Sequence, residues 1–262
     1  MKRMKNGIRG GNGRRSDNLV AGIDIGGTKV RWAIVHIGAK NFRVSGAHET
    51  ATPKDKAALE RLLCNVFAAL ARRGVRSVGV SVAGHFNAVQ RVVTAAHNTP
   101  ALKGVSLVRL AGKTMSVRTD NDARCFARTE LRYGRIQRSP TVLVIILGTG
   151  IGRALIKNGT VVQNKYSDYA EPWEKEYRQR VKRPAKEIAH FLAPHFVVLA
   201  HKVGARAIIL GGGRFRTQEL FSALKQELFR IGFRGSVTRS HYRQNAAVIG
   251  ATLLCWPTAS NS

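Results

Sequence analysis

The chain has 262 residues, 44% of them hydrophobic and 26 of them glycine, a composition that suits a globular chain with many tight turns and excludes a fibrous one. Its hydrophobic runs are shorter than the roughly 18 residues that a membrane span requires, and its N-terminus lacks the hydrophobic core of a secretory signal. The net charge of +29 favours polyanionic partners such as nucleic acid or polyphosphate.

Basic residues occur along the whole chain but are concentrated at its start. The first 15 residues contain six Lys or Arg residues and no acidic residue, and they have almost nothing hydrophobic to bury, so we predict a disordered basic tail over residues 1–18. Alternative roles for such a tail are a transit peptide and nonspecific binding of nucleic acid. A general basic bias of the source organism's proteins would explain the charge equally well.

Cysteine usage indicates the compartment. Cys64, Cys125 and Cys255 lie far apart in the sequence and form no CxxC pair. Buried free thiols in a reducing compartment explain this pattern without a metal. We therefore expect a cytoplasmic protein with no zinc site.

The first half of the chain alternates short hydrophobic runs with glycine turns. LVAGIDI, GGT and KVRWAIVHI predict strand, turn and strand from residue 19, and residues 41–50 predict a third strand. Hydrophobic residues recur every three or four positions from Lys54 to Arg73, which predicts a helix that ends near Gly74. The elements predicted next are a buried strand at SVGVSVAG, a loop through residues 97–104, a short strand at Ser116–Arg118 and a helix within residues 120–131.

The second half opens with the same pattern. TVLVIILGTGIGRALIKNGTVV predicts strand, glycine turn and strand, and a polar stretch over residues 163–183 follows. Further predicted elements are a long helix over residues 184–203, a strand ARAIIL that ends at 211-GGG-213, and helices over residues 217–231 and 244–255. Because both halves begin alike, the sequence predicts a duplicated α/β unit.

The first glycine turn, DIGGTK, has the residue types of a phosphate site. Asp24 ends a buried strand, where a carboxylate suits magnesium, a cation that prefers oxygen ligands. Gly26 and Gly27 allow backbone N–H groups to approach a phosphate closely, and Thr28 adds a hydroxyl donor. Lys29 adds charge or simply begins the next strand. Considered alone, this hairpin is better explained as a structural turn.

Two familiar nucleotide-binding motifs are excluded. The stretch contains no GxxxxGK[ST]. GTGIGR fails the GxGxxG pattern because Arg153 occupies the sixth position, and a strand follows it where a dinucleotide-binding fold requires a helix.

Five motifs occur in order, each at the end of a predicted strand: DIGGT, VSVAG, NDA, LGTGIG and ILGGG. With these motifs residues 19–254 closely resemble the ROK family (repressors, open reading frames and sugar kinases) of the actin-like, hexokinase-like ATPases. GIDIGGTK and GTGIG are the most specific parts. The resemblance implies an α/β fold of two actin-like (ribonuclease H-like) domains, residues 19–122 and 123–262, that flank a nucleotide and substrate cleft, with the last helix packed back on the first domain.

The resemblance also implies roles for individual residues. Magnesium would lie near Asp24, directly or through water. Asn121 and Asp122 match a pair in which the asparagine binds a sugar hydroxyl and the aspartate is the general base, which accepts the hydroxyl proton as the phosphoryl group transfers. Taken alone, Asp122 would be better explained as a helix N-cap, and Asp120 is a nearby rival for the base. The residues that would contact ATP are Gly26, Gly27, Thr28, Lys29, Gly148, Thr149, Gly150, Gly211, Gly212 and Gly213.

The segment after Gly152 departs from the family pattern. Sugar kinases of the family continue with a glycine, a GExGH segment and a zinc loop, whereas this chain has Arg153, no GExGH and no cysteine between positions 125 and 255. Gly84 and Asn98 match positions that border the family's sugar pocket. Glu171 is the nearest candidate for the missing acid, and a solvated acidic patch is its alternative explanation.

Together these features predict a glucokinase-like enzyme that transfers the γ-phosphoryl group of ATP to a hydroxyl of a hexose or N-acetylhexosamine. The alternatives are a sugar kinase that uses polyphosphate, which a cleft rich in Lys and Arg would suit, and a non-catalytic relative that binds nucleotide or nucleic acid. The 18 residues before the first strand are too few for a repressor's helix-turn-helix domain. Family members are commonly dimers, so a homodimer is expected.

Overall fold

The computed structural model describes residues 2–3, 18–38, 41–87, 89–96, 98–134, 140–163, 171–215, 217–242 and 245–256. The chain forms two compact units, one of residues 1–129 together with 247–262 and the other of residues 130–246. Each unit contains its own β-sheet and helices, which confirms the predicted α/β class.

The elements are labelled here in chain order. Those of residues 2–134 are β1 (Lys2–Arg3), β2 (Asn18–Ile25), β3 (Lys29–Ile37), β4 (Phe42–Ala51), α1 (Lys56–Arg72), β5 (Ser77–Val82), β6 (His85–Asn87), β7 (Val92–Ala95), α2 (Leu107–Ala111), β8 (Ser116–Asn121) and α3 (Asp122–Tyr133). Those of residues 140–256 are β9 (Thr141–Leu147), β10 (Ile151–Lys157), β11 (Thr160–Val162), α4 (Trp173–Arg180), α5 (Ala185–Val203), β12 (Ala207–Gly211), α6 (Glu219–Arg230), β13 (Ser236–Arg239) and α7 (Ala246–Thr252).

The sheet of the first unit has the strand order β1-β4-β3-β2-β5-β8. Strand β5 pairs in parallel with β2 on one side and with β8 on the other. The register places Asp24 beside Ser81 and Ser81 beside Asp120. Because parallel strands end at the same edge of a sheet, the residues that follow β2, β5 and β8 gather there. Three of the five sequence motifs lie at this edge.

Helix α1 covers the core of this unit. Asp55 caps it, since its carboxylate accepts the N–H of Ala58 at 2.8 Å. Its buried face packs against hydrophobic residues of β2, β3 and β5, and consists of Leu59, Leu63, Val66, Phe67 and Leu70. The predicted three- and four-residue spacing is confirmed.

Helix α7 lies directly on the sheet of the first unit. A Cβ atom on Gly22 would lie 2.1 Å from the carbonyl oxygen of Val248, and one on Gly79 would lie 1.7 Å from that of Ala251. Only glycine permits such an approach between a helix backbone and strands β2 and β5. These contacts hold the C-terminal helix against the first unit.

The second unit has a sheet of order β11-β10-β9-β12-β13, in which β9 pairs with β10 as the predicted hairpin and with β12 in parallel. Helices α5 and α6 contribute most of its core, in which Phe196 and Leu224 are fully buried. In the part of the chain that the structure describes, no helix is both long and hydrophobic enough to cross a bilayer.

Several short elements were not predicted. The hairpin β6–β7, helix α2 and strand β13 have three to five residues each, too few to show a periodic pattern. Helix α4 was not predicted either, and its position in the sequence was described only as a polar stretch. Six of its eight residues are charged or amide side chains, which leaves no hydrophobic periodicity to indicate a helix.

The predicted disorder of the basic tail is wrong for Lys2 and Arg3. These residues form β1 against Glu49 and His48 of β4, since the outer edge of β4 offers unpaired backbone groups. Residues 1 and 4–17 of the predicted tail lie outside the described residues.

We predict that Gly79→Ala lowers the free energy of unfolding by about 1–3 kcal/mol, because the added methyl group would overlap the backbone of α7. Ser77→Ala, at the partly exposed start of the same strand, is the matched control and should change it by less than about 0.5 kcal/mol. Urea denaturation followed by circular dichroism measures both. Equal stability of the two variants would contradict the close packing of α7.

Candidate active site

Asp24 lies at the carboxyl end of β2 and is only 7% exposed. The Ser81 hydroxyl donates to its Oδ1 at 2.8 Å, and an Arg31 guanidinium nitrogen lies 3.5 Å from its Oδ2. Burial raises the pKa of Asp24, although the Ser81 hydrogen bond and the Arg31 charge act to lower it. The carboxylate is therefore fixed in position at the strand end while its charge is incompletely compensated.

Asp122 begins α3 immediately after β8. Its Oδ1 accepts the N–H of Ala123 at 2.9 Å. Burial, followed by repulsion from the Asp24 carboxylate, raises the pKa of Asp122 to about 7, against the opposing effects of backbone hydrogen bonds and the Arg124 charge. A general base is most effective when its pKa is close to the working pH, so this carboxyl group has the property that proton abstraction requires.

Asn121 caps helix α3. Its side-chain oxygen accepts the N–H groups of Ala123 at 2.9 Å and Arg124 at 3.4 Å, and its Nδ2 donates to the carbonyl of Gly84 at 3.2 Å. Among the described residues, the second Nδ2 hydrogen has no partner. Since Asn121 supplies the cap, helix capping does not by itself account for an aspartate at position 122.

Asp120, the rival candidate for the base, is held in an ion-pair network. Arg124 and Arg128 each place a guanidinium nitrogen 2.6 Å from a different oxygen of its carboxylate. Burial acts to raise the pKa of Asp120, but the Arg124 hydrogen bond and the two arginine charges outweigh it and lower the pKa. A carboxylate with a lowered pKa is a weak base, which favours Asp122.

The turn between β2 and β3 is braced by neighbouring loops. The Thr52 hydroxyl donates to the carbonyl of Gly26 at 2.7 Å, and the Thr52 N–H donates to the carbonyl of exposed Thr28 at 3.1 Å. A Cβ atom on Gly27 would lie 2.6 Å from the carbonyl oxygen of Asn98. The structure thus places Asn98 against the turn, as it places Gly84 against Asn121.

Lys29 was predicted to contact phosphate or to begin the second strand. It begins β3, and its ammonium group forms an ion pair with Glu49, whose carboxylate also accepts Arg31 Nε at 2.8 Å. These partners lower the pKa of Glu49 in spite of the opposing effect of burial. The charge of Lys29 is therefore shared with Glu49, and its contact with phosphate stays a prediction.

In the second unit, the LGTGIG turn follows β9. The Gly148 N–H donates to the Gly150 carbonyl at 2.9 Å, Thr149 is exposed, and the Tyr177 hydroxyl donates to the Gly148 carbonyl at 3.0 Å. A Cβ atom on Gly148 would meet no heavy atom of the described residues within 4 Å, and its φ angle is accessible to any residue. The fold does not require glycine at position 148, whereas close approach of a ligand would.

The GGG turn lies beside this one. Gly211 ends β12 and pairs with Ile146 of β9. Gly212 has φ +96°, and a Cβ atom there would lie 2.4 Å from the carbonyl oxygen of Leu147, so the fold requires this glycine. Gly213 has no positive φ angle, and a Cβ atom there would meet no heavy atom of the described residues within 4 Å. Like Gly148, it therefore leaves room for a ligand.

Arg153 and Glu174 form a buried ion pair where the sequence departs from the family pattern. They are 3% and 4% exposed, and Arg153 approaches Glu174 Oε1 at 2.7 Å. The same oxygen accepts the N–H of Glu171 at 3.0 Å. Burial raises the pKa of Glu174, with the Arg153 charge opposing it. Glu171 is partly exposed at the start of α4 in the second unit, and its role as a sugar ligand stays a prediction.

The sequence analysis did not identify three residues that contact the site. Ser81 could have been identified, because it is the one polar side chain in the buried part of strand β5. The sequence does not indicate that Thr52 belongs to the site, because a threonine in a loop is common and its hydrogen-bond partners are distant in the chain. It does not indicate that Tyr177 is buried either, because most of the neighbouring residues in its helix are charged.

The donor set fits the magnesium ion and the ATP that the fold family implies. Asp24 and Asp122 lie close enough for their charges to repel, and a divalent cation would relieve that repulsion. Magnesium commonly takes one or two carboxylates together with phosphate and water oxygens. No larger group of His, Cys, Asp and Glu side chains with metal-binding geometry occurs among the described residues.

The chain is similar in sequence to a known family and to several known proteins. The ROK family model matches residues 20–166. The N-acetyl-D-glucosamine kinases of Yersinia enterocolitica and Haemophilus influenzae are 36% and 35% identical to the chain over 154 and 151 residues. The matches cover 55% and 53% of this chain but 48% and 46% of the relatives, so the chain spans about half the length of the curated relatives it matches.

Solved structures share the fold over most of the chain. A ROK family glucokinase from Streptomyces griseus, in complex with glucose and AMPPNP, matches with a TM-score of 0.72 at 21% identity and covers 90% of this chain and 98% of its own. An inorganic polyphosphate/ATP-glucomannokinase from Arthrobacter sp. strain KM matches with a TM-score of 0.73 at 26% identity, covering 90% and 97%. The chain therefore has the fold of these sugar kinases.

We predict that Gly148→Ala and Gly212→Ala have opposite consequences. Gly148→Ala should leave the free energy of unfolding within about 0.5 kcal/mol and weaken nucleotide binding about tenfold or more, because its methyl group would occupy the space left for phosphate. Gly212→Ala should destabilise the protein by about 1–3 kcal/mol. Calorimetric titration with AMPPNP and urea denaturation measure the two effects. Normal nucleotide affinity in Gly148→Ala would exclude the turn as a phosphate site.

We predict a pH-dependent stabilisation by Asp122→Asn. The pKa of Asp122 is raised from 3.8 to about 7 in the folded state, so the folded protein binds the proton more tightly and this group destabilises the fold increasingly from pH 4 to pH 7. Discounted for partial exposure, the variant should gain about 1–2 kcal/mol at pH 8 and less at pH 5. Urea denaturation at both pH values measures the gain, and an equal gain at both would refute the raised pKa.

Proposed function

The chain belongs to the ROK family, whose model matches more than half of it, and we propose that it is an ATP-dependent sugar kinase. It transfers the γ-phosphoryl group of ATP to a hydroxyl of a hexose or an N-acetylhexosamine. The observation that carries the proposal is Asp122, a carboxyl group at a sheet edge whose pKa is raised to about 7 beside a second carboxylate. The relatives named N-acetyl-D-glucosamine kinase make that sugar the first acceptor to test.

Proton abstraction from the acceptor is the role of Asp122. A sugar hydroxyl is a poor nucleophile until its proton is removed or shared with a base as the phosphoryl group arrives. Asn121 orients the acceptor with its remaining Nδ2 hydrogen, while its bond to the Gly84 carbonyl fixes the amide plane. Burial, and after it repulsion from the Asp24 carboxylate, keeps the pKa of Asp122 near neutrality.

Donor phosphates are held by the glycine turns. The backbone at Gly148 and Gly213 is open to a close ligand approach, as is usual for phosphate-binding turns. A magnesium ion held by Asp24 supplies neutralisation of the phosphate charge when it is bound. Ser81 positions the Asp24 carboxylate for that purpose.

Inorganic polyphosphate is a second candidate donor. Two observations favour it: the net charge of +29 and the similarity to an inorganic polyphosphate/ATP-glucomannokinase at 26% identity. A polyanionic donor would release counterions on binding to a basic surface, so its affinity would fall steeply with salt. Homodimer formation, nonspecific binding of nucleic acid and a cytoplasmic location stay predictions that rest on the sequence.

The proposal is tested by a phosphoryl-transfer screen with the purified protein. Glucose, mannose, N-acetyl-D-glucosamine, N-acetyl-D-mannosamine and glucosamine are offered as acceptors, each with ATP and with polyphosphate, and formation of sugar phosphate is followed by mass spectrometry. Turnover with any pair identifies acceptor and donor. Nucleotide binding without turnover for every pair would indicate a non-catalytic relative instead.

We predict that Asp122→Asn lowers kcat by about 10²–10⁴-fold and leaves nucleotide affinity within about twofold, because only the proton acceptor is removed. In the parent protein kcat/KM should rise with pH and level off above about 7, since only the ionised carboxylate acts as a base. Asp55→Asn is the matched control, because Asn also caps a helix well and position 55 is an exposed cap of α1. Parental turnover in Asp122→Asn would show that another group is the base.

A further inference from the structure

Tyr177 is the largest fully buried side chain among the described residues and lies on the mostly charged helix α4. Its hydroxyl donates to the carbonyl oxygen of Gly148 at 3.0 Å. That carbonyl belongs to the turn whose N–H at Gly148 already bonds the Gly150 carbonyl. The turn is thus fixed by a hydrogen bond within its own backbone and by a second hydrogen bond from a buried tyrosine.

The same hydroxyl lies within the electrostatic reach of a residue next to the second glycine turn of this unit. The charge of Arg214, directly after Gly213, acts to lower the pKa of Tyr177 against the larger effect of burial. The two turns are themselves neighbours, because Gly211 pairs with Ile146 and a Cβ atom on Gly212 would lie 2.4 Å from the carbonyl oxygen of Leu147.

Two contacts of residues in its first turn anchor helix α4, which carries Tyr177. Trp173 stacks on His195 with ring centroids 4.4 Å apart and planes 6° from parallel. Glu174 is bound to Arg153 of β10 in the buried ion pair described above. Burial raises the pKa of Tyr177 to about 12, while Arg214 acts to lower it, so the hydroxyl keeps its proton throughout the range of enzyme assays.

We propose that Tyr177 is a positioning residue that fixes the 148–150 turn and thereby keeps it in register with the neighbouring 211–213 turn. The identification of these turns as donor-phosphate sites rests on the proposed function. The hydrogen bond to Gly148 and the contact between the turns rest only on the geometry of the second unit. Helix α4 thus supports the 148–150 turn, and Arg153 of β10 anchors the helix to the sheet.

The test compares Tyr177→Phe with Tyr242→Phe. Tyr242 is a matched control, because its hydroxyl also donates to a backbone carbonyl in the same unit, that of Tyr133 at 2.5 Å, which belongs to neither glycine turn. Amide hydrogen exchange of residues 147–151 and 211–215 is measured for both variants and the parent protein. AMPPNP affinity is measured by calorimetry, and the KM values for ATP and sugar are measured with kcat.

Tyr177→Phe should raise exchange in both turns, weaken AMPPNP binding about fivefold to twentyfold and raise the KM for ATP similarly, with the KM for sugar unchanged and kcat within about twofold. Tyr242→Phe should change none of these quantities even if it lowers the melting temperature equally. Unchanged exchange in the two turns of Tyr177→Phe would overturn the proposal.

The exchange measurement is independent of the proposed function. If the parent protein binds neither AMPPNP nor polyphosphate, the kinase proposal fails, while exchange in the two variants still decides whether Tyr177 fixes the turns. Raised exchange with unchanged AMPPNP affinity in Tyr177→Phe would overturn its role in nucleotide binding.

Discussion

The proposed chemistry depends on two carboxyl groups, Asp24 and Asp122, that lie at one edge of the first sheet, close enough for their charges to interact. Parallel strands β2, β5 and β8 end at one edge, and that geometry brings two carboxylates together in a poorly solvated place. Ser81 and Arg31 stabilise the first carboxylate, whereas the second is left with a raised pKa. A fold selected only for stability would gain by removing one of the charges, so their joint presence is consistent with catalysis.

Two arginines pair with the acidic residue two positions before the candidate base. Arg124 and Arg128 both bind Asp120, and the Arg124 charge acts on Asp122 as well, but it does not outweigh burial and repulsion from Asp24. Asn121, between the two aspartates, uses its amide to cap α3 and to bind Gly84. Three consecutive polar residues therefore differ in their surroundings: Asp120 is held in an ion-pair network, Asn121 caps a helix, and Asp122 is the proposed base.

In the second unit, the glycines of the two turns divide into those that the fold requires and those that it does not. Gly212 passes too close to Leu147 for any side chain, whereas a Cβ atom on Gly148 or Gly213 would meet no heavy atom of the described residues within 4 Å. Helix α4 supports this region with a tyrosine and a buried ion pair. These contacts hold the 148–150 turn in place, which is compatible with the proposed nucleotide site.

The sequence by itself determined the ROK resemblance, both strand–turn–strand openings, helices α1 and α5, and the set of glycine and aspartate residues from which a site could be built. Those features are local, because hydrophobic spacing and glycine placement act over a few neighbouring residues. Only the tertiary structure distinguishes the pKa values of Asp120 and Asp122, since arginine contacts lower the first and burial raises the second, and this difference favours Asp122 as the proposed base. It alone showed that Lys29 is paired with Glu49 and that a tyrosine in a charged stretch bonds Gly148, because these partners lie 20 and 29 residues apart in the chain.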